Sequence, residues 1–304
     1  MAGLARLPLE LVLSVVEHAA WGSEPSQSWV ASLRLVNRVF DRVVAPALFE
    51  TVEVSERNIG ALAGIATQTN SLLRMTLRVY FLSDAVAREP ASMYYYDAAF
   101  APFVSALHGI QEFTGPHRAF ARFQIIHRHR RLSSVFLVDP VTPGLFLSIT
   151  STHNIVQNLH LVVAMDRVRN IIPRIDFTRI SAPYVVIDAS STTERDEQEL
   201  ETEFTVFVEE LAKVLHRSSL RRLLIRIRVG SLPVETQAAL GAVIQRWGVD
   251  TRDERVWLDE SSPVASPLPS DEGVYDRGPY RADVYAGRGL WMTGRQLYSV
   301  PRGE

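Results

Sequence analysis

The chain has 304 residues, room for a small domain and a larger one, and its apolar fraction of 47% is ordinary for a globular protein. A formal net charge of −2 argues against a general nucleic-acid binder. Cysteine is absent, which excludes disulfides, thiolate metal sites and a cysteine nucleophile, and no apolar run reaches the roughly 18 residues of a transmembrane helix.

Residues 7–19 (LPLELVLSVVEHA) predict the first helix. Pro8 suits a first helical turn because its φ is fixed and it lacks a donor. Glu10 places negative charge at the positive end of the helix dipole. Leu7, Leu11, Val15 and His18 fall three or four apart and share one face. Leu9, Val12, Leu13 and Val16 make the helix apolar beyond that stripe. The excess points to a second face that a partner buries. Glu10 and Glu17 interrupt the apolar run, so it is no signal peptide, and the expected compartment is the cytosol or nucleus.

Residues 21–28 (WGSEPSQS) predict a loop, with Ser26 or Ser28 as the cap of the next helix. Val30, Leu33, Val36 and Phe40 then follow at helical spacing. Arg34, Asn37, Arg38, Asp41 and Arg42 fill the other side. Pro46 is expected to end that helix or to open a short one through Leu48 and Phe49. Two or three helices in about fifty residues make a small free-standing core.

The order Leu-Pro-x-Glu-Leu, a Leu/Val helix, a polar gap, Leu-Val-Asn-Arg-Val-Phe and Ala-Pro-Ala-Leu-Phe resembles an F-box. Leu7, Pro8, Glu10, Leu11, Val15, Leu35, Val36, Arg38, Phe40, Pro46, Leu48 and Phe49 stand at matching positions. Phe40 replaces the commoner Trp, and residues 22–28 exceed the usual connection. The resemblance implies a docking module for the Skp-type adaptor of a cullin–RING ubiquitin ligase (SCF type). The adaptor-facing residues would be Leu7, Pro8, Glu10, Leu11, Val15, Val36, Arg38, Phe40, Pro46 and Leu48. The rest of such a chain presents a protein substrate. The alternatives are a scaffold or interaction protein that uses F-box-like helices outside any ligase and, behind it, an enzyme with no recognisable motif.

Beyond Val52, residues 58–67 predict a helix and residues 72–82 a strand, from the alternation of Met75, Leu77, Val79 and Phe81. Residues 83–97 predict a loop that holds Tyr94, Tyr95 and Tyr96, and residues 100–108 a helix. A period then appears. Ile110-x-x-Phe113, Leu132-x-x-Val135-x-Leu137, Val156-x-x-Leu159-x-Leu161 and Ile180-x-x-Pro183-x-Val185 follow at steps of 22, 24 and 24 residues. Leu220-x-x-Leu223-x-Ile225 comes 40 residues later, and Leu72-x-x-Met75-x-Leu77 stands 38 before Ile110. The pattern resembles degenerate leucine-rich repeats, in which stacked strand–helix units share a continuous core. Pro183 is read as a break in one unit, and an open α/β sheet remains the other reading.

Residues 117–131 are basic, with Phe120, Phe123 and Ile126 on one helical face; a solvated amphipathic helix is the plain reading. His127 and His129 have no third ligand nearby in sequence. Residues 194–203 are acidic and lead into a helix to His216, where negative charge suits the helix N-terminus. Residues 233–247 predict another helix and residues 255–258 a short strand. Residues 261–304 are rich in Pro, Gly and Arg, yet hold Tyr275, Tyr280, Tyr285, Trp291 and Tyr298, so partial docking on the sheet is expected. Lys213 is the only lysine, which a GC-rich coding sequence accounts for by exchanging Lys codons for Arg codons.

No G-x-S-x-G, H-E-x-x-H or phosphate-loop motif occurs, and nothing indicates a catalytic residue, a metal or a cofactor. The expected architecture is mixed (α+β, or an α/β repeat). It comprises an F-box-like helical domain (1–54), an irregular repeat-like solenoid of strands and helices (55–260) and a loosely packed, partly disordered tail (261–304). The expected role is that of a non-catalytic subunit, with no membrane and no nucleic acid among its partners.

Overall fold

The computed structural model describes residues 8–21, 27–82, 99–127, 132–140, 156–164, 180–191, 197–229, 234–259 and 291–299. Leu7, the loop residues 22–26, the tyrosines 94–96, His129 and the tail residues 260–290 lie outside them. The described residues form a mixed α/β protein of eight α-helices and a mostly parallel sheet of nine strands in the order β1 to β9. The chain divides into two compact units, residues 1–80 with 89–111 and residues 81–88 with 112–304.

The first unit begins with three helices. Helix α1 is Leu9–Trp21, α2 Gln27–Leu33 and α3 Arg38–Glu50. The Pro8 carbonyl accepts from the Leu11 and Val12 amides at 3.0 and 3.2 Å, which opens α1 at the proline as its chemistry requires. Ala20, Val30 and Val44 form a small core, with Val16, Leu33, Ala47 and Leu48 packed around it.

Sequence expectations fail here at three places, for identifiable reasons. The single helix expected through Val30 and Phe40 is two helices. Residues 34–36 form a turn, and the Asn37 side chain accepts from the Val39 and Phe40 amides at 2.9 Å each, starting α3 afresh. Ser28 lies inside α2, so it is not that helix's cap. Pro46 neither ends a helix nor opens one, because α3 runs through it to Glu50. The ring removes one backbone bond, and burial of Val44 and Ala45 beside it holds the helix together.

The unit continues with β1 (Thr51–Val54), α4 (Ile59–Ala66), a 3-10 turn at Leu72–Met75, β2 (Arg78–Phe81, its last residue in the second unit) and α5 (Phe100–Ala106). The strand expected over 72–82 is therefore half turn. Ser71 accepts from the Leu73 amide, Met75 points into solvent, and the extended chain begins only after Leu77.

The second unit carries β3 (Glu112–Gly115), α6 (His117–Ile126), β4 (Ser134–Pro140), β5 (Asn158–Ala164), β6 (Tyr184–Ser191), α7 (Glu197–Leu215), β7 (Arg222–Val229), α8 (Val234–Thr251), β8 (Val256–Asp259) and β9 (Arg295–Gln296). Strands β3 to β8 are parallel neighbours, and β9 closes on β8 antiparallel. Register pairs Phe113 with Val135, Val135 with Leu159, Leu159 with Val185, Val185 with Leu223 and Leu223 with Val256. One apolar ladder thus crosses the sheet at the second position of each repeated unit. The pairing also corrects the unit at residue 180. Val185 and Ile187 are the stacked residues, two places beyond those expected, and Pro183 precedes the strand. There its carbonyl accepts from the Arg221 and Arg222 amides at 2.7 and 3.0 Å, so it joins two units and breaks none.

Both faces of this sheet are buried. Val135, Leu159, Ile187 and Ile225 lie on one face, Phe136, Val162, Val186 and Leu224 on the other. Such strands read as continuous apolar runs with little alternation. Helix α6 covers the first face, with Phe120 and Phe123 ring-to-ring against Phe113 at 5.1 and 5.4 Å. Helix α8 covers the same face where Gly241 meets Ile227. Strand order never reverses, so the sheet lacks the switch point at which doubly wound sheets bind ligands.

Candidate functional site

The first candidate is the outer surface of α1 to α3. Their inward residues are spent on the small core, yet Leu9, Leu11, Val15, Trp21, Trp29, Leu35, Val36 and Val39 remain 40–88% exposed. Scattered apolar exposure is ordinary, but eight large side chains within residues 9–39 are not. Leu11 and Val15 are one helical turn apart on α1. Leu35 and Val36 protrude from the turn that precedes Asn37, and Val39 sits in the first turn of α3.

The expected adaptor-facing residues separate into two groups. Pro8, Glu10, Leu11, Val15, Val36 and Arg38 are exposed, whereas Phe40, Pro46 and Leu48 are half-buried, and Leu48 packs on the unit's own core. Polar contacts frame the apolar residues. Arg34 bonds Asp41 at 2.5 Å and lies over the Phe49 ring at 5.7 Å.

The second candidate is a charged cluster on the sheet face opposite α6 and α8. His160 of β5, Asp188 of β6 and Arg226 of β7 have side chains 0–2% exposed. Arg226 donates Nε to Asp188 Oδ1 at 2.6 Å and a terminal nitrogen to Oδ2 at 2.8 Å, a bidentate fork. His160 Nε2 meets Asp188 Oδ2 at 2.8 Å, its Nδ1 meets the Leu137 carbonyl at 3.0 Å, and its ring stacks on Phe136 at 3.6 Å. Register places Asp259 of β8 beside Arg226.

The same face receives the chain's last described segment. Trp291 packs on Val186 and Leu224, flanked by Tyr184 and Trp257. Arg222 lies 3.7 Å over the Trp257 ring and donates to the Thr293 carbonyl. Burial lowers the Arg222 guanidinium from its ordinary value, with Tyr184 opposing. Gly294 has φ +88°, and a Cβ there would stand 2.8 Å from Leu224 Cδ1 and 2.9 Å from the Leu258 oxygen. Only glycine takes this turn without strain.

Sequence reasoning missed this cluster. Its signal was one polar residue within each apolar run: His160 in LHLVV, Asp188 in VVIDA and Arg226 in LLIRI. Spacings of 28 and 38 residues hid the fact that the three meet. A related pair, His117 and Asp139, joins the start of α6 to the end of β4; the Asp139 carboxylate also accepts from the His117 amide at 2.7 Å. That arrangement caps a helix. His127 is buried against Phe123, and among the described residues no three His, Asp or Glu side chains form a metal-ligating group. No described helix is long and apolar enough to cross a membrane.

No protein-family model matches this chain, and no curated protein matches it at significance.

Proposed function

We propose that this chain is the substrate-recognition subunit of an SCF-type cullin–RING ubiquitin ligase. Helices α1 to α3 act as the F-box and dock a Skp-type adaptor. The second unit, a degenerate leucine-rich-repeat-like solenoid, presents the protein substrate. The observation that carries the reading is the exposed apolar set Leu9, Leu11, Val15, Leu35, Val36 and Val39 on helices that already own a core. Burying what is still exposed of Leu11, Val15, Leu35 and Val36, about two thirds of each on average, supplies about 4–8 kcal/mol in total. That is comparable with the roughly 4–15 kcal/mol that association consumes, so these residues are needed but a wider rim must assist. The unreversed strand order and the apolar ladder from Phe113 to Val256 support the repeat-like reading of the second unit. A ligase subunit built this way works by position, raising the effective concentration of substrate at the conjugating enzyme.

The test is co-expression with a Skp-type adaptor, wild type beside the Pro8→Ala, Leu11→Asp double variant. Retention of the adaptor by the wild type alone is expected. Equal retention by a folded double variant contradicts the proposal.

A further inference from the structure

The His160 ring is held between two acceptors. A backbone carbonyl has no proton to give, so the 3.0 Å approach of Nδ1 to the Leu137 oxygen requires a proton on Nδ1. Asp188 is gripped bidentately by Arg226, which selects the carboxylate. A carboxylate likewise has no proton to give, so the 2.8 Å contact at Nε2 requires a proton there too. Either neutral tautomer would leave one lone pair facing another at hydrogen-bond distance in a site closed to water. The described groups around the ring agree. Strand β4 offers the uncharged Phe136 face, β6 the Asp188 carboxylate and β7 the Arg226 guanidinium, with Asp259 of β8 in register beside it.

We propose that His160 is a fixed imidazolium in the folded protein, and that its ion ladder makes the sheet face over β4 to β8 an alkali-sensitive switch. When local opening of the face admits solvent base, the proton leaves Nδ1, the Leu137 carbonyl loses its donor, and the cluster loses one positive charge. The sign follows from linkage. The imidazole of an unfolded chain titrates near about pH 6.5. The ladder's contribution is therefore complete below that value and is lost as pH rises through the titration of the folded state. Trp291 and Thr293 rest on the same face, so the segment they carry is what loosens with it.

The test uses the wild-type chain, labelled with 15N and observed by long-range proton–nitrogen correlation at about pH 8, where a free imidazole is neutral. His160 is assigned through its proximity to the Phe136 ring. Both ring nitrogens are expected to carry protons, and an unprotonated ring nitrogen at that pH overturns the proposal. On raising the pH further, loss of the second ring proton and a fall in Tm are expected to share one midpoint; separate midpoints overturn the switch. His160→Gln keeps a donor for Asp188 but cannot titrate, so the alkaline step should vanish in it, and a persisting step counts against the proposal. The wild-type spectrum and the shared midpoint decide the question whether or not that variant folds.

Discussion

Replacing Asp188 by Ala is the sharpest perturbation of the second unit. The carboxylate is fully buried, and its contacts include two nitrogens of Arg226 at 2.6 and 2.8 Å and His160 Nε2 at 2.8 Å. Removing it takes the bidentate acceptor from a guanidinium that is 2% exposed. Breaking such a pair from one side costs about 3–5 kcal/mol, because the remaining charge stays buried without the carboxylate that matched it. Whole-domain stabilities are about 5–15 kcal/mol, so the variant should sit close to unfolding. Urea titration followed by far-UV circular dichroism measures the loss as a lowered midpoint at unchanged slope. Arg226→Met should lose a similar amount. The triple change His160→Leu, Asp188→Leu, Arg226→Met should recover most of it, because an apolar cluster of similar volume carries no desolvation penalty. A loss below about 1 kcal/mol in Asp188→Ala, or a triple variant no more stable than Asp188→Ala, would refute the reasoning.

Three further outcomes follow from other contacts. Asn37→Ala removes the side chain that starts α3 and should lower stability by about 1 kcal/mol, whereas Asn37→Asp, which keeps the cap, should stay near wild type in the same titration. Gly294→Ala forces a Cβ against Leu224 and the Leu258 oxygen; hydrogen exchange should speed up at the Leu297 amide, which bonds the Val256 carbonyl at 3.0 Å, and unchanged protection would deny the segment's fixed seat. The hydrogen bond from Arg255 holds the Asp253 carboxyl below its ordinary value. Its stabilisation is therefore present above the unfolded value of about 3.9 and is lost as pH falls through the folded one. Asp253→Asn should flatten the acid limb of the Tm–pH curve, and an unaltered limb would show that the pair contributes nothing.

The fold was legible wherever one residue type carried one physical duty. Val135, Leu159 and Leu223 declared their ladder by spacing alone, because stacked strands demand an apolar residue at the same register position. The step at Val185 was misread by two residues, since Ile180 and Pro183 mimic the pattern and only pairing distinguishes them. The break at residues 34–36 was hidden for a different reason. Val30, Leu33, Val36 and Phe40 keep helical spacing, and a single asparagine cap overrides it. The apolar excess on α1 shows in the amino-acid order itself, because thirteen residues rich in Leu and Val exceed what one face can bury. The ion ladder does not, because its members lie on three strands that only the register brings together.

Adaptor binding tests the central claim most directly. Purified wild-type chain and a Skp-type adaptor are titrated against each other by calorimetry, with the Pro8→Ala, Leu11→Asp variant beside them and circular dichroism checking that both are folded. The proposed function predicts a one-to-one complex for the wild type and at least a thousandfold weaker binding, a difference of about 4 kcal/mol, for the variant. A folded wild type that does not bind the adaptor, or a folded variant that binds equally well, would contradict it.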